Sequence, residues 1–198
     1  MQQELIAALA LYAFVTSITP GPNNVMLMTS GVNFGFRRTI PHMLGVGIGF
    51  AVMIIAVGTG VAGIFYSWPP AQEILRALSI AYLCWLAWKI ATQPTDALAP
   101  GEAARPMTFL QAAAFQWVNP KAWTMALTSV SVYAPDQGIR NVLVVALVFG
   151  AINLPAVSSW TLIGLNISRL LGNPRHLRAF NVAMAVLLVL SLYPVIWP

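Results

Sequence analysis

Acidic side chains are almost missing from this sequence. There are five in 198 residues, Glu4, Glu73, Asp96, Glu102 and Asp136, and each falls at the end of an apolar run or between two runs. Charged residues of both signs make up only 8% of the chain, where a soluble domain carries about a quarter. With 59% hydrophobic residues and a mean hydropathy of +0.77, a soluble fold of this size has no way to hide its apolar surface. The solvent is therefore a lipid bilayer. Thiols are scarcer still: the single Cys84 excludes an internal disulfide, a CxxC redox pair and a cysteine-built metal site. The two histidines, His42 and His176, lie too far apart to suggest a metal centre. No HExxH, GxSxG or Walker loop is present, so no enzyme, metal or cofactor is expected. A pI of 9.9 would point to nucleic acid in a soluble protein. Here the basic residues sit in short loops between apolar runs, where they orient the chain instead.

What the sequence has in quantity is spanning-length apolar segments. A membrane helix needs roughly 20 mostly apolar residues, and six segments qualify: 4–30, 40–66, 71–92, 107–132, 139–164 and 178–197. The N-terminus, Met1-Gln2-Gln3-Glu4, lacks the basic stretch of a signal peptide, so the first apolar segment is expected to stay as a helix. Trp68-Pro69-Pro70 and Gln93-Pro94 bound the third segment with helix-stopping residues. The longest polar stretch, centred on 93–106, contains Asp96, Glu102 and Arg105 and divides three helices from three. One membrane domain over 1–198 is expected, with a first repeat at about 1–92 and a second at about 107–198. Alternate loops carry Arg37, Arg38, Lys89, Arg105, Arg169, Arg175 and Arg178, seven of the ten basic residues. That asymmetry places these loops in the cytoplasm and both termini on the periplasmic side. Three helices per repeat then make the halves inverted relative to each other. Trp85, Trp88 and Lys89 read as an interfacial anchor, and His42 as a polar residue near a helix end.

Polar interruptions within this background carry the functional signal. Thr19-Pro20-Gly21-Pro22-Asn23-Asn24 breaks the first segment, and Asn119-Pro120-Lys121 breaks the fourth. Proline removes a backbone donor and clashes with the preceding turn. In lipid, the groups thus freed must be satisfied by protein, water or ligand. Paired broken helices at matching places in two halves are the best sequence pointer to a transporter's binding site. Pro22 is placed as the first residue of a new half-helix, whose open amides suit a carboxylate. Asn23 and Asn24 add donors and acceptors for a zwitterion; the plainer reading is a structural kink. Lys121 is the one charge predicted inside a helix, about 21 Å of helical rise beyond Met107. It faces a ligand carboxylate, meets a backbone carbonyl at the first break, or snorkels to an interface. In the fifth segment Asn153, Pro155, Ser158 and Ser159 either line a cavity or make helix contacts. Gly45 and Gly49 form a GxxxG in a glycine-rich second helix that serves packing within the fold or between subunits, as in a homodimer, or lines a permeation path. No carboxylate lies at mid-membrane depth, which argues against a cationic substrate and leaves any ion coupling to Lys121, an end carboxylate or water.

Taken together, Pro20-Gly21-Pro22-Asn23-Asn24, Gly35-Phe36-Arg37-Arg38 with Gly45 and Gly49, Ala81-Tyr82-Leu83 with Trp88-Lys89, and Asn119-Pro120-Lys121-Ala122 resemble the LysE/RhtB family of bacterial amino-acid exporters. The stretch Ala81–Thr92 is most similar to the cysteine/O-acetylserine exporter branch. Thr39 departs from the pattern, standing where the family often has glycine. The resemblance implies an inner-membrane protein that exports amino acids or derivatives such as threonine, homoserine, cysteine, O-acetylserine or lysine, driven by the proton gradient.

The sequence thus predicts an all-α integral membrane protein of six transmembrane helices in two inverted repeats, with helices 1 and 4 broken by proline. The expected function is export of a small neutral amino acid, with Pro20, Gly21, Pro22, Asn23, Asn24, Asn119, Pro120, Lys121 and Asn153 at the substrate site. An oligomeric channel or passive pore, and a membrane scaffold without transport, are the alternatives.

Overall fold

The computed structural model describes residues 3–95, 105–136 and 138–197, and among them every regular element is a helix. Asp96 and Glu102, in the expected linker, lie outside the described residues. The chain runs through α1 (Gln3–Ile18), α2 (Pro22–Ala56), a π-helical turn (Val57–Val61), α3 (Gly63–Ser67) and α4 (Pro70–Ala91). After the linker come α5 (Phe109–Phe115), a 3₁₀ turn (Gln116–Val118), α6 (Pro120–Tyr133), α7 (Ile139–Leu170), α8 (Pro174–Leu190) and α9 (Tyr193–Ile196). Four stretches are each long and apolar enough to cross a membrane: Pro22–Val61, Pro70–Ala91, Ile139–Leu170 and Pro174–Ile196. The apolar α1 is shorter. The first and fourth apolar segments of the sequence are each found in two pieces, divided at 19–21 and 116–119 as the prolines require.

Helix starts follow local chemistry. Pro22, Pro70, Pro120 and Pro174 all stand in the first helical turn, where a missing N–H costs nothing. Thr108 and Gln111 form a capping box at α5, the hydroxyl accepting from Gln111 N at 3.2 Å and the amide oxygen from Thr108 N at 3.0 Å. Asn173 accepts from His176 N at 2.9 Å and starts α8.

The expected loop around Arg37 and Arg38 is a single residue. Gly35 alone leaves helical geometry, at φ 76° and ψ 172°, a region glycine enters without a side-chain clash. Both arginines belong to the helix that follows, and Arg38 lies 5.7 Å over the Phe34 ring. The reversal brings Ser30 Oγ and Thr39 Oγ1 to 2.8 Å, and Thr39 Oγ1 donates to Gly35 O at 2.8 Å. Since Thr39 spends its one hydroxyl proton on that carbonyl, Ser30 is the donor between the two hydroxyls. Thr39, the departure from the family pattern, thus tightens the turn. Gly35 separates α2a (residues 22–34) from α2b (residues 36–56).

The bundle is held by backbone-to-backbone contacts. A Cβ at Gly31 would lie 2.2 Å from Thr161 O, and one at Gly164 would lie 2.1 Å from Met28 O, so α2a and α7 meet with no room for a side chain. Gly45 and Gly49 do the same for α2b against α5, at 2.4 Å from Phe109 O and 2.6 Å from Ala113 Cα. The GxxxG face is used inside the chain. Leu9, Phe50, Trp123 and Phe149 lead one buried cluster, joining α1, α2b, α6 and α7. Met26, Leu83, Phe115 and Leu188 lead another, joining α2a, α4, α5 and α8. Outside, large apolar side chains such as Leu11, Leu78, Leu110, Leu147 and Leu190 are exposed, the surface a helical bundle presents to lipid. Trp85 and Trp88 are exposed too, and Lys89 Nζ sits 4.7 Å over the Trp85 ring, a fitting arrangement for an interfacial anchor.

Candidate functional site

The break after α1 leaves its last carbonyls without helical partners, and four consecutive ones are met by side chains. Asn24 Nδ2 donates to Ser17 O at 2.8 Å and to Thr19 O at 2.9 Å. Trp160 Nε1, from α7, reaches Ile18 O at 3.1 Å. Lys121 Nζ, from the second break, donates to Thr19 O at 2.7 Å and to Pro20 O at 3.4 Å. Of the readings open for Lys121, the backbone carbonyl is the one the geometry displays. Gly21 makes room for it: a Cβ there would stand 2.7 Å from Lys121 Cδ. An ammonium has three donors, and with two on carbonyls the third is left for a ligand.

The second break is capped from within. Asn119 Oδ1 accepts from Lys121 N at 3.2 Å, and Trp123 Nε1 donates to Trp117 O at 2.9 Å. Gln116, fully buried, donates to Ala112 O at 2.9 Å. Its amide also pairs with Asn23 in both directions: Asn23 Nδ2 to Gln116 Oε1 at 2.9 Å, and Gln116 Nε2 to Asn23 Oδ1 at 3.2 Å. The two breaks are therefore joined twice, by a lysine across carbonyls and by a reciprocal amide pair.

Between them lies a cavity of about 20 Å³, lined by Ser17, Gly21, Asn23, Asn24, Gln116, Asn119, Lys121 and Asn153 with the apolar Phe50 and Met125 among its walls. That volume suits a water molecule; an amino acid enters only if the walls part. Asn153 donates to Ser17 Oγ at 3.1 Å, while its Oδ1 is buried with no protein partner. An unpaired buried acceptor is costly, about 1–3 kcal/mol, and calls for a donor from whatever occupies the cavity. No side chain caps the amide end of α2, so that half-helix presents its partial positive charge here. Phe50 continues from the cavity wall into an aromatic stack, with Phe149 at 5.3 Å and Tyr12 a further 6.0 Å on.

Six of the nine residues expected from sequence meet at this cavity: Gly21, Asn23, Asn24, Asn119, Lys121 and Asn153. Pro20, Pro22 and Pro120 do not line it; they create the breaks. Ser158 and Ser159 bond their own helix, to Leu154 O and Ala156 O, each at 2.7 Å, and are absent from the lining. Gln116 and Ser17 went unnoticed in the sequence. Gln116 had a readable signal: a polar amide in an apolar run, three residues before Asn119.

A larger cavity, about 770 Å³, has Thr29, Ser30, Phe34, His42, Lys89, Arg105 and Gln111 in its wall. His42, expected at a helix end, is 1% exposed.

Two broken helices facing each other across a buried polar cavity, in a bundle with an apolar outer face, define a multi-pass membrane translocator. Comparison with known proteins supplies the family. The model of the LysE type translocator family matches residues 14–191. The cysteine/O-acetylserine efflux proteins of Escherichia coli (strain K12) and Shigella sonnei (strain Ss046) are each 32% identical over 195 residues, covering 96% of this chain and 96% of theirs. That of Shigella flexneri is 32% identical over 191 residues, covering 93% of this chain and 94% of its own. No solved structure matches. The chain belongs to the LysE family of translocators.

Proposed function

We propose that this protein exports a small neutral amino acid or derivative, of the cysteine/O-acetylserine, threonine or homoserine type, from cytoplasm to periplasm. One observation carries the reading: the Lys121 ammonium and the unpaired Asn153 Oδ1 share one cavity. A zwitterion complements that pair. Its carboxylate meets Lys121 and the first amides of α2, and its ammonium meets Asn153 Oδ1. Asn23, Asn24 and Asn119 shape the site and hold the breaks. The names of the relatives favour cysteine and O-acetylserine, and the proton gradient is the driving force that the family resemblance suggests.

The architecture we infer is six spans in two inverted repeats, 1–92 and 107–198, within one domain. α1 with α2a forms the first span, and α5 with α6 forms the fourth. Support comes from a coarse parallel between the halves: α2b packs on the fourth span through Gly45 and Gly49, and α7 packs on the first span through Gly164. A common cytoplasmic face is supported by Phe34, Lys89 and Arg105 lining one cavity. The opposite end gathers Arg76, whose Nη2 donates to Ile196 O at 2.7 Å. On this reading both termini are periplasmic.

The test is thermal stability in detergent against a panel of amino acids, followed by counterflow in proteoliposomes. A ligand at 100 Kd stabilises the folded state by about 2.7 kcal/mol. A shift with a neutral amino acid that disappears in Lys121→Ala, together with exchange of labelled for unlabelled substrate, supports the carrier. Flux without counterflow would favour the pore instead.

A further inference from the structure

The cavity of about 770 Å³ falls within the usual range of small-molecule sites, about 300–1,000 Å³, whereas the central cavity, at about 20 Å³, is far below it. The two share no lining residue; the Asn23–Gln116 amide pair belongs to the wall of the small one, while Met26 and Gln111, three and five residues away in sequence, line the large one. The large cavity has a polarity of its own. Lys89 and Arg105 are exposed at its rim, and Thr29, Ser30 and His42 are buried at its inner wall. Among the described lining residues there are two cationic side chains and no carboxylate. His42 is the group left unexplained, since neither Nδ1 nor Nε2 has a hydrogen-bond partner within the protein. A fully buried imidazole carries one donor and one acceptor when neutral, and leaving both unused is costly. Ser30 gives its proton to Thr39 and makes no hydrogen bond to the imidazole.

We propose that this cavity is a loading site, separate from the central one, that binds the α-carboxylate of the substrate at Lys89 and Arg105 and the polar end of the molecule at His42 before the Asn23–Gln116 pair opens. The inference rests on the export reading and deepens it. A ligand bearing a carboxylate and an uncharged polar group satisfies the rim and the imidazole together. A purely cationic amine is rejected by the rim. Lys89 keeps donors for this role, since its contact with Trp85 is through the ring face.

Site-directed labelling distinguishes the two cavities. In a Cys84→Ser background, Gln111→Cys places a thiol in the wall of the large cavity, and its rate of modification by a water-soluble methanethiosulfonate reagent is measured in detergent at pH 6.5. The probe is O-acetyl-L-serine, with 2-aminoethyl acetate as its counterpart lacking the carboxylate. The expected result is at least threefold slower labelling with O-acetyl-L-serine, and no slowing with 2-aminoethyl acetate. Protection should persist in Lys121→Ala, and weaken in Lys89→Ala/Arg105→Ala and in His42→Ala. Should His42→Ala fail to fold, His42→Gln tests the same contact, and the exposed double variant tests the rim independently. Protection that vanishes in Lys121→Ala would overturn the loading site while leaving central binding and export intact. Absence of protection in every background, with counterflow still present, would overturn it as well. Loss of counterflow in the unaltered protein would remove the export reading itself.

Discussion

The two helix breaks solve the same problem with different partners. After α5, the chain tightens into a 3₁₀ turn, and the carbonyls of 112–120 are met by neighbours close in sequence, among them Gln116, Trp123 and Thr124. After α1, three of the five side-chain hydrogen bonds come from remote donors: Trp160 on Ile18 O, and Lys121 on Thr19 O and Pro20 O. The second break is therefore a self-contained corner. The first is a corner only while the other half of the molecule is docked against it. On the carrier reading proposed above, contacts that cross between halves are those that can be exchanged, while self-capped turns travel intact.

Substitutions at the two breaks sharpen that contrast. The largest effect is expected from Lys121→Met, on transport more than on folding. Losing charge-assisted hydrogen bonds costs about 1.5–3 kcal/mol, but on the six-span reading the substitution also relieves the cost of holding a lysine within the membrane, about 2.5–3.5 kcal/mol at its centre. The two terms nearly offset, so unfolding in detergent should shift little. Initial rates of counterflow should fall about 10–100-fold, the equivalent of losing one charged contact to the carboxylate. Asn24→Ala comes next, on stability: it strips local donors from two carbonyls of the first break and should cost about 2 kcal/mol, read from thermal unfolding in detergent. Asn23→Ala and Gln116→Ala should each cost about 1–2 kcal/mol by orphaning the opposite amide. In the double variant the losses should fall short of their sum by about 1 kcal/mol; strict additivity would mean the pair does not couple the breaks. Asn119→Ala, at the self-contained corner, should cost only about 1 kcal/mol, the worth of an N-cap. Gly21→Ala should leave stability within about 0.5 kcal/mol, because the atom it meets belongs to a flexible lysine side chain. Transport should nevertheless drop as Lys121 is pushed from the Thr19 carbonyl.

The sequence made the breaks readable because proline and asparagine are conspicuous in an apolar run, and a lipid surrounding forces every freed carbonyl to find a partner. It also brought five of the cavity residues to notice by polarity, and Gly21 by its place between two prolines. Partnerships were not readable. Asn23 and Gln116 lie 93 residues apart, and no periodicity within either helix records which amide faces which. The close approach of α2a to α7 was only half readable: Gly31 and Gly35 stand at GxxxG spacing, but Gly164, which meets α2a from the other side, has no glycine four residues away. The turn at Gly35 was misjudged in length for a physical reason. Arginines signal the water boundary, but their long side chains reach water from a helix as readily as from a loop. His42 was misplaced on the same grounds: nearness to Arg37 and Arg38 suggested an edge, and one further turn of helix carried it under cover.

The donor for Pro20 O and one of those for Thr19 O sit about a hundred residues further along the chain, with separations of 101 and 102. At ordinary synthesis speeds of about 5–20 residues per second, the ribosome needs roughly 5–20 s to reach Lys121 after it has finished the first corner. On the six-span reading proposed above, the newly inserted first half carries during that interval carbonyls within the membrane that its own sequence does not serve. Asn24 can hold Ser17 and Thr19, but Ile18 and Pro20 must wait for α7 and α6. Biogenesis of this translocator is thus ordered by its hydrogen bonds: the early half enters the bilayer unfinished, and the arrival of the late half completes it.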